Sequence, residues 1–276
     1  MKNFFKKLSE TSLPQRLSVL LFLVLCIWWV EIALVWKNQD INQNLYWAAS
    51  YQILAIWGAV FGLVISKHWG GLKSTLGKAI IFFSIGLLLQ SFGQSVFSFY
   101  NIISKVEIPY PSIADIGFFG SIPLYIYGGI LLGQASGTKF SLRSPHNKAI
   151  AIIIPLIMLV ASYVFFLENY EFDWGSPMRV FLDFGYPFGQ AIYVSVAIST
   201  YILSKKFLGG IMKNAVLFIL IALLVQYVAD YNFLYQTLNE TWTNGGYGDF
   251  IYLIAYFMMA MGLIKLGSVF KKIKES

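Results

Sequence analysis

Charge, cysteine and histidine are scarce in this chain of 276 residues. Charged residues make up 12% of it and hydrophobic residues 58%, whereas a soluble domain carries about twice that fraction of charge. Cys26 is the one cysteine, which excludes an intrachain disulfide and a cluster of thiolate metal ligands. The two histidines, His68 and His146, both fall in loops predicted to face the cytoplasm, which excludes a membrane haem with two axial histidines. We therefore expect no cofactor.

Long hydrophobic runs are present instead. Eight of them are long enough to cross a bilayer core about 30 Å thick, which takes about 20 residues. Inside lipid every backbone polar group must be paired within the segment, so these runs are predicted to be helices. The sequence predicts an all-α integral membrane protein with the lipid bilayer as its first partner and eight transmembrane helices, over residues 15–36, 46–66, 78–100, 113–135, 148–167, 180–204, 213–235 and 249–270.

The basic residues predict the orientation. Of 20 lysines and arginines, all but Lys37, Lys105 and Arg179 fall on one side of the predicted spans. Basic loops stay in the cytoplasm, so both termini are predicted to be cytoplasmic, in a multi-pass protein of the cytoplasmic membrane. This rule also accounts for the net charge of +7, and no nucleic acid partner is needed to explain it. Most acidic residues fall on the outer side, which is predicted to be negative.

The second half of the chain repeats the polar residues of the first. At a spacing of 136 residues Gln90 matches Gln226 and Gln94 matches Asp230, at 134 Asp115 matches Asp249, and at 138 Gln52 matches Gln190. Four spans per copy give both copies the same orientation, so we predict two parallel four-helix repeats. The predicted units are a basic cytoplasmic N-terminus (1–14), the first repeat (15–135), a cytoplasmic linker (136–147), the second repeat (148–270) and a cytoplasmic tail (271–276).

Polar residues that recur within spans are costly in lipid and mark a candidate site. We expect them to line an outward-facing cleft between the repeats, which suits a cationic or hydrogen-bonding small molecule held by charge and by aromatic rings. No catalytic residue and no metal ligand is predicted. The candidate ligand-binding residues are Glu31, Gln52, Gln90, Gln94, Asp115, Asp183, Gln190, Gln226, Asp230, Tyr231 and Asp249.

The same residues have alternative, purely structural interpretations. The glutamines are able to bond across helices as packing contacts. Asp115 and Asp249 stand at helix N-termini, where a carboxylate caps the backbone favourably. Glu31 follows Trp28 and Trp29 at the membrane boundary, where it could simply reach water.

One stretch resembles a known family. The segment Gly86–Gln94, followed by Tyr100, the string IPYPSIAD ending at Asp115, Pro123 and Gly128, resembles the multi-span sensor regions that precede diguanylate-cyclase (GGDEF), EAL, PAS or histidine-kinase domains in bacteria. The resemblance covers most of 79–133 and, more weakly, 215–267. The chain departs from the pattern at Gln94, where the family has an acid, and at Phe97 and Ser98, where a tryptophan often stands.

The resemblance implies a sensor role. The sequence contains no output domain, so such a module would be the input part of a longer protein or would signal through a cytoplasmic partner or a homodimer. Two other functions stay open. Asp230 and Asp183 could act in an intramembrane lipid hydrolase, either as acid and base or as ligands for a hard cation. Pro123, Pro155 and Pro187 inside their spans favour a small-molecule transporter.

Overall fold

The computed structural model describes residues 12–36, 40–168, 170–204 and 210–275, and within these ranges the chain is helical and has no strand. Most of the predicted N-terminal segment (1–14), together with Lys37 and Lys205, lies outside the described residues. The described α-helices are α1 Leu13–Leu34, α2 Ile41–Ser50, α3 Ile53–His68, α4 Thr75–Ser98, α5 Ile113–Ala135, α6 Thr138–Ser141, α7 Pro145–Phe166, α8 Pro177–Ser204, α9 Lys213–Leu238 and α10 Tyr247–Glu275.

Seven helical segments of the described chain are long and apolar enough to cross a membrane, which makes this a multi-pass membrane protein. They are α1, α2 with α3 (Ile41–His68), α4 with its π-helical extension (Thr75–Ser104), α5, α7, α9 and α10. The remaining long helix, α8, has 28 residues and corresponds to the sixth predicted span. It is not among the seven, and even its more apolar C-terminal part contains Gln190 and several hydroxyl residues.

Local polar residues fix where several helices begin. The side chain of Asp40 accepts hydrogen bonds from the backbone N–H groups of Asn42 and Gln43 at the start of α2. Ser74 caps α4 in the same way, and Ser112 forms a capping box with Asp115 at the start of α5. These residues satisfy N–H groups that have no partner inside the helix. The first turn of α5, which contains Asp115, therefore has a fixed geometry.

Two features differ from the sequence-based expectation. The second predicted span, 46–66, begins earlier, at Ile41, and is interrupted by a turn at Tyr51–Gln52 that separates α2 from α3. The linker predicted over 136–147 contains the short helix α6 and the first turn of α7. The fourth span was predicted over 113–135, and α5 covers the same residues.

The helices pack with two intimate pairs, α4 with α5 and α9 with α10. Glycines allow this approach: a Cβ on Gly117 of α5 would lie 2.4 Å from the carbonyl oxygen of Leu89 on α4. A Cβ on Gly262 of α10 would lie 3.0 Å from the backbone nitrogen of Ile219 on α9. Small residues at helix interfaces are the usual way to bring backbones together in lipid.

The two pairs are joined by further contacts. Helix α3 packs against α4 and α10, and α8 packs against α5, α7 and α9, while α1 lies at the periphery against α10. A continuous apolar core fills the bundle, with Leu87, Ile219 and Leu263 fully buried in it. Toward one end of the bundle polar residues replace this core, and the candidate site is located there.

Candidate functional site

A cavity of about 660 Å³ occupies the end of the bundle where α4 and α9 end and α5, α8 and α10 begin. We call this the cavity end, and the other the opposite end. The residues that follow α4 (Glu107, Pro109, Tyr110) and α9 (Glu240, Trp242) contribute to its wall. The volume falls within the range of about 300–1,000 Å³ that is typical of small-molecule sites.

The wall of the cavity is strongly acidic and aromatic. Its ionisable lining residues other than tyrosine comprise a single basic residue, Arg179, and the six acids Glu107, Asp115, Asp183, Asp230, Glu240 and Asp249. Tyrosine is the commonest aromatic residue among the lining side chains. A concave wall with an excess of one charge attracts small molecules of the opposite sign.

Asp230, on α9, is the acid with the most hydrogen bonds from side chains. The hydroxyl of Tyr193 donates to its Oδ2 at 2.6 Å, and the hydroxyl of Tyr252 donates to its Oδ1 at 2.9 Å. Gln226, one turn earlier on α9, donates to the same Oδ1 through Nε2 at 3.0 Å. The side chain is 8% exposed. Three donors from α8, α9 and α10 thus hold this carboxylate against the cavity, and one lone pair of Oδ2 stays open.

Asp249, in the first turn of α10, is held by two donors. The hydroxyl of Tyr51 donates to Oδ1 at 2.8 Å, and the backbone N–H of Gly245 donates to Oδ2 at 2.7 Å. Asp249 is 2% exposed. Tyr51 reaches it from the turn between α2 and α3, so the interruption of the second span contributes directly to the site. Each oxygen of Asp249 keeps one open lone pair.

Asp115 is the counterpart of Asp249 at the start of α5. The hydroxyl of Tyr186 on α8 donates to its Oδ1 at 2.6 Å, and the backbone N–H of Ser112 donates to its Oδ2 at 2.7 Å. Asp115 therefore caps its helix and also holds a tyrosine of the other half of the chain. The capping role that the sequence allowed is present together with a place in the cavity wall.

Asp183, near the start of α8, gathers two further tyrosines. The hydroxyl of Tyr110 donates to Oδ1 and that of Tyr170 to Oδ2, each at 2.7 Å, and Nε of Arg179 lies 3.8 Å from Oδ2. Desolvation and then the hydrogen bond to Asp183 raise the pKa of Tyr170 to about 12. The same two causes raise the pKa of Tyr110 above its usual value. Both phenols consequently keep their protons near neutral pH and remain donors to the carboxylate.

Two of the three glutamine side chains that line the cavity are hydrogen-bonded to other residues, and the third has an acceptor without a partner. Gln90 donates to the hydroxyl of Ser121 at 2.7 Å and accepts from the hydroxyl of Tyr256 at 3.1 Å. Gln94 donates to the carbonyl oxygen of Ala48 at 3.0 Å. Gln190, on α8, is 4% exposed and lines the cavity, and its Oε1 has no hydrogen-bond partner. A buried acceptor without a partner is unusual in a folded protein and calls for an explanation.

Seven of the predicted site residues line one cavity. They are Gln90, Gln94, Asp115, Asp183, Gln190, Asp230 and Asp249. Gln226 does not line it but supports Asp230 from one helical turn away. Recurrence at nearly constant spacing is the sequence signal that grouped all of them except Asp183, which was predicted as a further acid in the outer half of its span.

Three predicted site residues lie elsewhere. Gln52 accepts a hydrogen bond from Ser95 at 2.9 Å beside the α2–α3 turn. Tyr231 faces α7, where its hydroxyl bonds with Ser162 and its ring packs on Phe166. Glu31 is exposed on α1, outside the residues that line the cavity. The reasons differ: Tyr231 lies on the face of α9 that packs on α7, Gln52 belongs to the turn after α2, and Glu31 lies on the peripheral helix α1.

Six tyrosines of the wall were not among the predicted site residues: Tyr51, Tyr110, Tyr186, Tyr193, Tyr252 and Tyr256. For Tyr186 and Tyr193 a signal existed, because they stand four residues before and three residues after Gln190 and so share its helix face. Tyr252 and Tyr256 likewise stand three and seven residues after Asp249 and so share its helix face. Tyr51 had no such signal, since its place depends on the turn that ends α2.

Metal coordination finds no support in this arrangement. In the part of the chain that the structure describes, no three acidic, histidine or cysteine side chains converge as metal ligands. The acids are instead spread around the wall, and tyrosine hydroxyls donate to four of them, Asp115, Asp183, Asp230 and Asp249.

Comparison with known proteins finds no matching family model, no similar curated protein and no similar solved structure. The geometry of the cavity therefore carries the functional argument.

Proposed function

We propose that this protein is a membrane sensor or receptor module that binds a small organic cation in the cavity and conveys its presence to the cytoplasm. The observation that carries the proposal is the cavity itself, in which six acids and one arginine surround a volume suited to a small molecule. Tyrosine donors hold four of the acids in fixed positions. An aromatic, low-dielectric wall strengthens the attraction between these carboxylates and a bound cation.

The proposal includes eight membrane crossings with both termini in the cytoplasm. Helix α8 supplies the eighth crossing: its 28 residues extend about 42 Å at 1.5 Å per residue, and it packs beside α5, α7 and α9. Lys67, Lys73, Lys213 and Lys271 stand at the opposite end from the cavity. Basic residues at that end favour its assignment to the cytoplasm, so the cavity would open outward.

The proposal also includes two repeats that meet at the cavity. The packing supports this, because the pair α4–α5 corresponds to α9–α10, and the contact of α3 with α10 corresponds to that of α8 with α5. Asp115 of the first half bonds Tyr186 of the second, and Asp249 of the second bonds Tyr51 of the first. A ligand between these groups would contact both halves and change their arrangement.

Helix α10 is the element best suited to carry the signal. It runs from Tyr247, two residues before Asp249 of the cavity wall, to Glu275 at the opposite end, 29 residues without an interior proline. A bound cation that contacts Asp249, Tyr252 or Tyr256 would act on the same rigid helix that ends in Lys271, Lys272 and Lys274. Signalling requires that the cation bind one arrangement of α10 more tightly than another. The resemblance of 79–133 to bacterial sensor regions agrees with this function.

Ligand screening tests the proposal. We would measure thermal unfolding of the protein in lipid nanodiscs with a panel of small organic cations, for wild type, Asp230→Asn and Glu31→Gln. At least one cation is expected to stabilise wild type and Glu31→Gln, and to bind Asp230→Asn about 10- to 100-fold more weakly, because a hydrogen bond to a charged group contributes about 1.5–3 kcal/mol. Binding that is unchanged in Asp230→Asn, or no binding by any cation, would refute the proposal.

Two further assays separate the alternative functions. Uptake of a bound cation into proteoliposomes would indicate transport in place of sensing. Hydrolysis of a lipid panel that is lost in Asp230→Asn would indicate an intramembrane hydrolase. For a sensor we expect neither activity, and we expect the bound cation to change hydrogen exchange at the end of α10.

A further inference from the structure

We infer that the cavity selects a protonated primary amine, because one of its buried acceptors, Oε1 of Gln190, lacks the N–H donor that such a ligand brings. This inference rests on the proposed function, namely that the cavity binds an organic cation. It adds the chemical class of the cation and the residue that distinguishes it from other cations.

The tyrosine hydroxyl groups around Asp230, Asp249 and Gln90 already donate to acceptors of the protein. Tyr193 and Tyr252 donate to Asp230, and Tyr51 donates to Asp249. Tyr256 donates to Gln90. These phenols are therefore committed to acceptors of the protein. Their oxygens keep lone pairs, so these four side chains offer a ligand acceptors and no free hydroxyl donor.

Acceptor atoms with an unused lone pair are found on Gln190, Asp230 and Asp249. Oε1 of Gln190 has no partner although the residue is 4% exposed, and a buried polar atom without a hydrogen bond costs about 1–3 kcal/mol. Oδ2 of Asp230 accepts a single bond, from Tyr193. Each oxygen of Asp249 also accepts a single bond.

Gln190 and Asp230 line the same cavity, and Tyr193 connects the helix of Gln190 with the carboxylate of Asp230. Gln190 and Tyr193 are three residues apart on α8 and therefore neighbours on one helix face. Tyr193 reaches Oδ2 of Asp230, the oxygen with an open lone pair, at 2.6 Å. A primary ammonium group carries three N–H donors. It could donate one to Oδ2 of Asp230 and a second to Oε1 of Gln190.

Other cations fit this wall less well. A quaternary ammonium group has no N–H and would leave Oε1 of Gln190 without a partner. A metal ion requires several converging oxygens, and the described residues provide no such group of three ligands. The lining of the same cavity also includes Phe118, Ile122 and Phe233, which suits an apolar or aromatic body attached to the ammonium group.

A matched pair of probes tests the inference: 2-phenylethylammonium and its N,N,N-trimethyl homologue. Their affinities for wild type in nanodiscs would be measured by isothermal titration calorimetry. The primary amine is expected to bind at least 10-fold more tightly than the homologue, since sites that hydrogen-bond a ligand group discriminate strongly against analogues that lack it. In Gln190→Leu the ratio is expected to fall to within about 3-fold, and in Gln190→Glu, which keeps an acceptor, selectivity should persist.

The outcomes distinguish the two proposals. If the trimethyl homologue binds wild type as tightly as the primary amine, and Asp230→Asn weakens both, N–H selection is wrong while cation binding stands. If selectivity is unchanged in Gln190→Leu, the assignment to Gln190 is wrong. If neither probe binds wild type, both the inference and the proposed cation site fail for this ligand class. Thermal unfolding of Gln190→Leu and Gln190→Glu without ligand verifies that both variants fold.

Discussion

The two halves of the molecule differ at positions that the proposed repeat makes equivalent, and the clearest case is Gln94 against Asp230. Both residues lie four positions after a buried glutamine on corresponding helices, α4 and α9, and both line the cavity. Gln94 donates to the backbone carbonyl of Ala48, whereas Asp230 accepts from Tyr193, Tyr252 and Gln226. Gln94 therefore supports the backbone of α2, whereas Asp230 presents a carboxyl group that three donors hold in place.

The reason for the difference lies in the helix that each position faces. In the first half the second span is interrupted at Tyr51–Gln52, so carbonyl groups at the end of α2 have no partner within the helix. Gln94 satisfies one of them, and Ser95 binds the side chain of Gln52 beside the turn. Helix α8 is continuous through the corresponding residues, so position 230 has no backbone to satisfy and is able to carry an acid.

Asp115 and Asp249 show the opposite case, in which both halves use one scheme. Each carboxylate accepts one bond from a tyrosine of the other half and one from a backbone N–H just before its own helix. They differ in burial and in the loop that supplies the N–H. Ser112 donates from extended backbone with φ of −135°, and Gly245 donates from a left-handed conformation with φ of 71°.

The largest effect is expected when the loop of the second half is forced out of its conformation. Gly245→Val should lower the free energy of unfolding by about 3 kcal/mol, because a side chain is strained at positive φ and its Cβ would lie 2.7 Å from the carbonyl oxygen of Asn44. Ser112→Ala, the matched change in the first half, should cost about 1 kcal/mol through loss of the N-cap. Unfolding in nanodiscs measures both, and equal losses would contradict the stated difference between the loops.

A smaller effect is expected when Gln94 is replaced. Gln94→Leu should lower the free energy of unfolding by about 1–3 kcal/mol, because the carbonyl of Ala48 loses its donor in a buried place. Cation affinity should stay within about 3-fold of wild type, since the residue contributes no charge. Calorimetric titration of the folded variant with 2-phenylethylammonium checks this. A loss of affinity as large as that of Asp230→Asn would mean that both halves bind the ligand alike.

The cross-half tyrosines should differ in the same direction. Tyr51→Phe removes a bond to Asp249, which is 2% exposed, and should cost about 1.5–3 kcal/mol. Tyr186→Phe removes the corresponding bond to Asp115, which is half-buried and keeps its bond to Ser112, so about 1 kcal/mol is expected. Unfolding measured side by side tests the order, and a larger loss for Tyr186→Phe would reverse the ranking of the two sites.

The smallest effect is expected at Glu31, an acid of the first half that is exposed outside the cavity lining. Glu31→Gln should change cation affinity by less than about 2-fold, because exposed charges at a distance are screened by salt. Titration at low and physiological ionic strength measures this. A 10-fold or greater loss of cation affinity at physiological ionic strength would show that Glu31 belongs to the binding site.

Much of the helical layout could be predicted because lipid imposes strict rules on a chain. Backbone groups must be paired inside the bilayer, so long apolar runs predict helices, and α5 begins and ends where the sequence indicates. The acids and amides that recur in both halves could be found for a related reason, since polar residues within spans are costly. The turn at Tyr51–Gln52 was not foreseen, because apolar residues continue on both sides of it.

The sequence by itself determined that this is a helical membrane protein and which polar residues are candidates for its site. Only the tertiary structure decided which of them meet: Asp230 faces the cavity while its neighbour Tyr231 faces α7, and Tyr51 enters the site from an interrupted span. The physical reason is that lipid is as apolar as a protein core. The apolar surface of a span therefore does not mark which side packs inward, and helix rotation is fixed only when the helices meet.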